Sequence, residues 1–138
     1  MEMTAMKSKH DSRKQQEIRI GIIDDDPEVV QLIERLLEKQ GYKTLGLTEC
    51  IGSSAMINKF KPHFIIVDIM MPALDGHKLL QVFRNTLDQV PKVILFSGID
   101  PKELEKIAID MGAADFVYKG DGYFRLLSRV NLLAYDLL

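Results

Sequence analysis

The regular alternation of strand-like and helix-like segments from Ile18 onward constrains the fold of this chain more than any other feature. Short, continuous apolar runs alternate with longer segments in which apolar residues recur every third or fourth position. Strands that are joined by helices run parallel and bury both faces of their sheet under those helices. The alternation therefore predicts a doubly wound α/β domain of five parallel strands and five helices, for which 138 residues suffice.

Turn and capping residues place the boundaries of these segments. Asp26 is a favourable N-cap before Pro27, and Gly41 is expected to end the first helix. The predicted strands are 18–24, 42–47, 63–68, 92–97 and 115–119, and the predicted helices start at Pro27, at about Ser53, after Gly76, at Asp100 and at about Tyr123. The inward face of the first helix is predicted to consist of Val29, Leu32, Ile33, Leu36 and Leu37.

Composition and targeting signals exclude several classes of protein. Residues 1–17 are polar and lack apolar periodicity, so we expect a mobile tail ahead of one domain at 18–138. The net charge of −2 lacks the basic surplus typical of nucleic-acid binding, and no apolar run approaches the roughly 18 residues of a spanning helix. The single cysteine, Cys50, cannot form an internal disulfide. We expect a cytoplasmic protein that binds neither nucleic acid nor membrane directly.

Aspartates follow two of the predicted strands. Asp24 and Asp25 close the first strand, and Asp68 closes the third. For the strand order 2-1-3-4-5, the ligand crevice lies beyond the carboxyl ends of these two strands. Two carboxylates about 4 Å apart repel by roughly 4 kcal/mol at an effective dielectric of 20, a cost that a bound Mg2+ would offset. The plain alternative, a solvated loop and a helix cap, holds for Asp26 but is weaker for the other three aspartates.

Four segments carry a family resemblance: "IIDDDP", "IIVDIMMPALDG", "VILFSG" and "GAADFVYKG". Together they resemble the receiver domain of two-component response regulators, over about residues 18–138. The strand order used above is partly taken from this resemblance, which implies a flavodoxin-like fold. Asp68 is followed by Pro72, Asp75 and Gly76 at the offsets of the family, and Ser97 and Lys119 end the fourth and fifth strands.

The resemblance implies a phosphoacceptor and a metal site. Asp68 would take a phosphoryl group from a phosphohistidine on a histidine kinase or a histidine phosphotransfer protein. Asp25, Asp68 and the carbonyl of Met70 would bind Mg2+ directly, and Asp24 would hold it through water. Such a domain phosphorylates and dephosphorylates itself and is not expected to be a turnover enzyme.

The resemblance also implies a switch. Lys119 and Ser97 would contact the phosphoryl group, and Ser97 and Phe116 would move together when it binds. Taken singly, Lys119 is a solvated lysine and Ser97 a turn residue, so only the complete set indicates function. The family usually has a cis proline where this chain has Gly120, and we predict a trans 119–120 peptide because a cis bond without proline costs about 2.5–4 kcal/mol. We expect Tyr118 on the opposite face of the strand from Phe116.

The resemblance also implies a surface through which the switch acts. The face formed by the fourth helix, the fifth strand and the fifth helix would bind an output domain or protein, or a second copy of the chain. Asp115, Arg125 and Arg129 lie where that face would form ion pairs. The chain is expected to be either a single-domain regulator or a piece of a longer protein.

Two other functions stay open at this stage. A Mg2+-dependent phosphatase of the haloacid dehalogenase type also uses an aspartyl nucleophile, but Glu28 breaks the resemblance of "DDDPE" to its motif. The second alternative is a degenerate receiver that acts only as a binding module. Such domains typically lose an acid or the lysine, and this chain retains all five of Asp24, Asp25, Asp68, Ser97 and Lys119.

Overall fold

A computed structural model describes residues 17–49, 52–71 and 76–137. Five parallel strands form one sheet in the order β2-β1-β3-β4-β5, which confirms the predicted architecture. The strands are β1 (Arg19–Ile23), β2 (Lys43–Leu47), β3 (Phe64–Val67), β4 (Lys92–Ser97) and β5 (Asp115–Tyr118). The helices are α1 (Pro27–Lys39), α2 (Ser54–Phe60), α3 (Gly76–Thr86), α4 (Pro101–Met111) and α5 (Tyr123–Tyr135), with a short 3-10 turn at Lys119–Asp121.

Some predictions fall outside the described residues. These are the tail at residues 1–16, Cys50, Pro72 and Asp75. Within the described ranges, no helix is both long and apolar enough to cross a membrane.

The sheet separates two apolar cores. Alternate residues of a strand point to opposite faces, so Phe64 and Ile66 of β3 pack with α1 and α5, while Ile65 and Val67 pack with α3 and α4. All four residues of β3 are buried, as expected for the central strand of a sheet covered on both sides. Because β3 is held on both faces, it fixes the position of the next residue, Asp68, at the carboxyl edge of the sheet.

The first helix begins as predicted, but the face that it buries differs from the predicted face. Asp26 caps it by accepting a hydrogen bond from the Glu28 backbone N–H at 3.0 Å. The residues that α1 buries are Val30, Ile33 and Leu37. The prediction that Leu32 faces inward was wrong, since it is 37% exposed. The spacing of three and four residues in the buried stripe turns Leu32, one residue before Ile33, toward the side of the helix.

His63 ties the start of β1 to the start of β3. Its Nδ1 accepts a hydrogen bond from the Arg19 backbone N–H at 2.9 Å, and the backbone N–H of His63 donates to the Arg19 carbonyl at 2.8 Å. His63 is thus a structural residue that joins two neighbouring strands. Burial and the nearby Arg19 charge lower the pKa of His63 below its ordinary value of 6.5.

This lowered pKa makes the stability of the fold depend on pH. Because the folded state binds fewer protons than the unfolded state, the contribution of His63 is complete above the unfolded pKa of about 6.5. It is lost as the pH falls through the lower, folded pKa. We therefore expect the wild type to lose unfolding free energy relative to His63→Gln, whose amide oxygen can accept the same hydrogen bond, in urea titrations between pH 8 and pH 5. Parallel curves for the two proteins would contradict this account.

Candidate functional site

Three carboxylates converge at the carboxyl edge of the sheet. Asp24 follows β1 and Asp68 follows β3, and these residues are 2% and 6% exposed, whereas Asp25 is exposed to solvent. One ligand oxygen from each of the three lies within 4.8 Å of the others. The structure therefore brings together the three aspartates that the strand ends predicted to meet.

Lys119 bridges the two buried aspartates. Its Nζ lies 2.9 Å from Oδ2 of Asp24 and 2.7 Å from Oδ2 of Asp68. Burial by itself lowers the pKa of the Lys119 ammonium, but the hydrogen bonds to Asp68 and Asp24 and their negative charges outweigh that effect and raise it. The lysine thus carries a full positive charge between two carboxylates at neutral pH.

Backbone donors hold the remaining oxygen of each buried aspartate. Oδ1 of Asp24 accepts from the Asp26 N–H, and Oδ1 of Asp68 accepts from the Met70 N–H, both at 2.9 Å. Each contact is an Asx turn, in which an aspartate binds the backbone two residues ahead. These turns were not predicted from the sequence, although aspartates at the ends of strands are a signal for them. Together with Lys119, the turns fix the direction in which both carboxylates point.

Ser97 supplies an unpartnered polar group at the same edge. It is the last residue of β4, the strand next to β3, and is fully buried at 0% exposure. Its Oγ forms no hydrogen bond within the described part of the chain. Buried hydroxyls without partners are uncommon, because each costs the free energy of desolvation without a compensating hydrogen bond. A group that enters the site thus finds a free hydroxyl there.

Phe116 and Tyr118 lie on the same face of β5. Both are half-buried and pack against the core between the sheet and the helices α3 and α4, while Val117 belongs to the other core. The prediction that Tyr118 faces away from Phe116 was wrong, because residues two apart in a strand share a face. The Lys119–Gly120 peptide is trans, as predicted.

Met70 and Ile99 stand at the rim of the site. The Met70 side chain is 57% exposed, and its Sδ lies 3.9 Å from the position that a Cβ on Gly98 would take. Ile99 is half-buried and follows Gly98 directly. Two apolar side chains therefore stand beside the loops that hold Asp68 and Ser97.

The face of α4, β5 and α5 carries one of the predicted ion pairs. Arg129 Nε donates to Asp115 Oδ2 at 2.5 Å, so both groups are paired within the chain. Beside this pair is a cleft of about 290 Å³, whose lining includes Phe116, Tyr118 and Arg125. Of the two arginines, Arg125 is the exposed one.

Residues 20–131 match the family model described as the response regulator receiver domain. The response regulators MprA of Mycobacterium leprae (strain TN) and of Mycobacterium tuberculosis (strain CDC 1551 / Oshkosh) are 28% and 29% identical over 116 residues, which are 84% of this chain. The chain spans about half the length of these relatives, since the matched part is 50% of each.

Solved structures give the same picture. The Francisella response regulator 1452 receiver domain superposes with a TM-score of 0.75 at 28% identity, covering 88% of this chain and 100% of that one. The BeF3-activated N-terminal receiver domain of Klebsiella pneumoniae RstA has a TM-score of 0.71 at 28% identity, covering 83% of this chain and 96% of that one.

Proposed function

The chain belongs to the response regulator receiver family, and we propose that Asp68 takes a phosphoryl group from a phosphohistidine on a partner kinase or phosphotransfer protein. The observation that carries this proposal is the convergence at one sheet edge of a buried carboxylate, an ammonium and a buried hydroxyl without a partner. Phosphoryl transfer depends mainly on positioning and on charge stabilisation around the transferred group. These three groups provide both the positioning and the charge stabilisation.

In the proposed reaction, a carboxylate oxygen of Asp68 attacks the phosphorus atom. An O–P bond forms, the P–N bond to the imidazole of the donor breaks, and the donor histidine leaves with the electron pair of that bond. Lys119, already 2.7 Å from Asp68, stabilises negative charge on a phosphoryl oxygen. The hydrogen bond from the Met70 N–H keeps Asp68 oriented during the attack.

The donor set around Asp68 fits Mg2+. Three carboxylates with ligand oxygens within 4.8 Å of one another provide hard, anionic oxygen atoms, which this ion prefers. We propose that Asp25, Asp68 and the Met70 carbonyl bind the ion directly and that Asp24 binds it through water. When bound, Mg2+ supplies additional positive charge for the phosphoryl oxygens.

Intact-mass spectrometry tests this proposal. The protein should gain the mass of one phosphoryl group when incubated with phosphoramidate and Mg2+, and Asp68→Asn should not. Asp25→Asn should weaken Mg2+ binding and slow the uptake, whereas Asp26→Asn, a neighbouring variant that retains the helix cap, should do neither. If the wild type gains no mass, the chain is a degenerate receiver that acts as a binding module.

We further propose that the domain is a switch and not a turnover enzyme. Phosphorylation draws Ser97 toward the phosphoryl group, and Phe116 moves into the space that Ser97 vacates. The cleft on the α4, β5 and α5 face is lined in part by Phe116, so this movement reaches the surface proposed to contact an output domain or a second copy of the chain. Each signal ends with hydrolysis of the aspartyl phosphate.

Ser97→Ala should have different effects on the unphosphorylated and the phosphoryl-like states of this switch. In the unphosphorylated protein the variant removes a buried hydroxyl without a partner, so the unfolding free energy should stay level or rise by about 1 kcal/mol. In the beryllofluoride-bound protein the variant should lose the NMR shift changes at residues 97–116 that the wild type shows. A marked loss of stability without the fluoride, or unaltered shift changes with it, would argue against the proposed role of Ser97.

A further inference from the structure

Gly120, the residue after Lys119, does not have the left-handed backbone conformation that usually requires glycine. Within the described residues, the glycines with a left-handed φ are Gly41, Gly52, Gly112 and Gly122, and Gly120 is not among them. Its backbone is therefore compatible with other residues. The requirement for glycine must come from its surroundings.

The ring of Tyr118 occupies the space of a side chain at position 120. An ideal Cβ on Gly120 would lie 2.7 Å from Cζ and 2.9 Å from Cδ2 of this ring, and Cε2 is closer still. Real Cβ atoms essentially never approach other atoms so closely, so either the ring or the turn would have to move. Tyr118 is half-buried against the core under α3 and α4, which opposes movement of the ring. Residues 118 and 120 thus interlock around Lys119.

A second aromatic residue supports the other end of Lys119. Its Nζ lies 5.8 Å from the ring centroid of Phe96, a distance that allows a cation–π attraction. Phe96 is buried and packs against the ring of Tyr123 at the start of α5, with centroids 5.6 Å apart. The side chain of Lys119 is therefore supported by Phe96, and its backbone by the contact of Tyr118 with Gly120.

We propose that Tyr118 is a positioning residue for Lys119, and that its ring on Gly120 holds the Lys119–Asp121 turn where the ammonium reaches both Asp24 and Asp68. The inference rests on the proposed role of Lys119 in phosphoryl transfer. Tyr118 itself touches no reacting group. In this chain, the packing of the Tyr118 ring on Gly120 restrains the turn. The related family usually has proline at the position of Gly120.

A double-mutant cycle tests the interlock. Gly120→Ala should displace the ring or the turn and slow phosphoryl uptake from phosphoramidate at saturating Mg2+ by about 10- to 100-fold. Tyr118→Ala should also slow uptake, because it frees the turn. Adding Gly120→Ala to Tyr118→Ala should have no further effect, since the clash is gone. Tyr118→Phe retains the ring and should match the wild type.

An NMR signal independent of phosphorylation completes the test. The Lys119 methylene next to the ammonium should change its chemical shift in Gly120→Ala and in Tyr118→Ala, but not in Tyr118→Phe. Uptake and shifts that stay at wild-type values while the melting temperature falls would make Tyr118 a purely structural residue and overturn the proposal, as would additive effects in the cycle. If even the wild type takes up no phosphoryl group, the proposed function fails, and the methylene shift alone decides whether the interlock positions Lys119.

Discussion

Lys119→Ala should slow phosphoryl uptake at Asp68 by about 10²- to 10³-fold, the usual effect of removing one donor that stabilises transition-state charge. The same variant should bind Mg2+ more tightly than the wild type. In the wild type the ammonium lies between Asp24 and Asp68, at 2.9 Å and 2.7 Å, and its positive charge opposes a cation at the same carboxylates. Removing it leaves the acidic site more negative.

The loss of Lys119 should also make stability depend on the metal. Asp24 and Asp68 are buried, and a buried charge without its partner destabilises a fold by roughly 3–5 kcal/mol. Because Mg2+ would bind the folded state at this site, saturating Mg2+ should recover more unfolding free energy in the variant than in the wild type.

Three measurements check this prediction. Uptake is followed by intact mass with phosphoramidate, Mg2+ affinity by titration, and unfolding free energy by urea with and without Mg2+. Lys61→Ala is the matched control, since Lys61 forms an exposed pair with Asp88 at 3.8 Å and its loss should change little. Weaker Mg2+ binding in Lys119→Ala, or wild-type uptake, would show that the ammonium does not act as proposed.

The sequence was sufficient to predict the meeting of the charged groups. Asp24, Asp68 and Lys119 each follow a strand, and parallel strands joined by helices all end at the same edge of the sheet. Residues far apart in the chain therefore meet as a consequence of topology. The apolar runs identified the strands, and the strand order that makes β1 and β3 neighbours came in part from the family resemblance.

The sequence was not sufficient to predict how side chains pack around that edge. The rotation of α1, which buries Val30 and leaves Leu32 at its side, depends on how the helix packs on the sheet. The reason for Gly120 lies in the position of the Tyr118 ring, which the core under α3 and α4 determines. The missing partner of the Ser97 hydroxyl likewise depends on every element around it. These features arise from contacts between distant segments, and a linear pattern does not encode them locally.

The lifetime of the proposed aspartyl phosphate should depend on the two apolar residues at the rim. Hydrolysis requires a water molecule in line behind the phosphorus atom, and a polar side chain would hold it there by a hydrogen bond. Met70 and Ile99 cannot provide that bond. The Sδ of Met70 lies 3.9 Å from the position that a Cβ on Gly98 would take, and Ile99 is half-buried, so we expect both side chains to keep water away from Asp68.

The double variant Met70→Asn with Ile99→Glu should therefore lose phosphate at least about tenfold faster than the wild type, because an oriented water gains a large advantage over a random one. Uptake should be unharmed, since the substitution at position 70 retains the backbone N–H that holds Asp68 and the carbonyl proposed to bind Mg2+. The measurement is phosphate release from the phosphorylated, desalted protein. Met56→Asn with Ile109→Glu is the matched control, because both residues are exposed and lie on α2 and α4. Unchanged or slower release in the rim variant would instead assign control of the lifetime to the position of Lys119 beside Gly120.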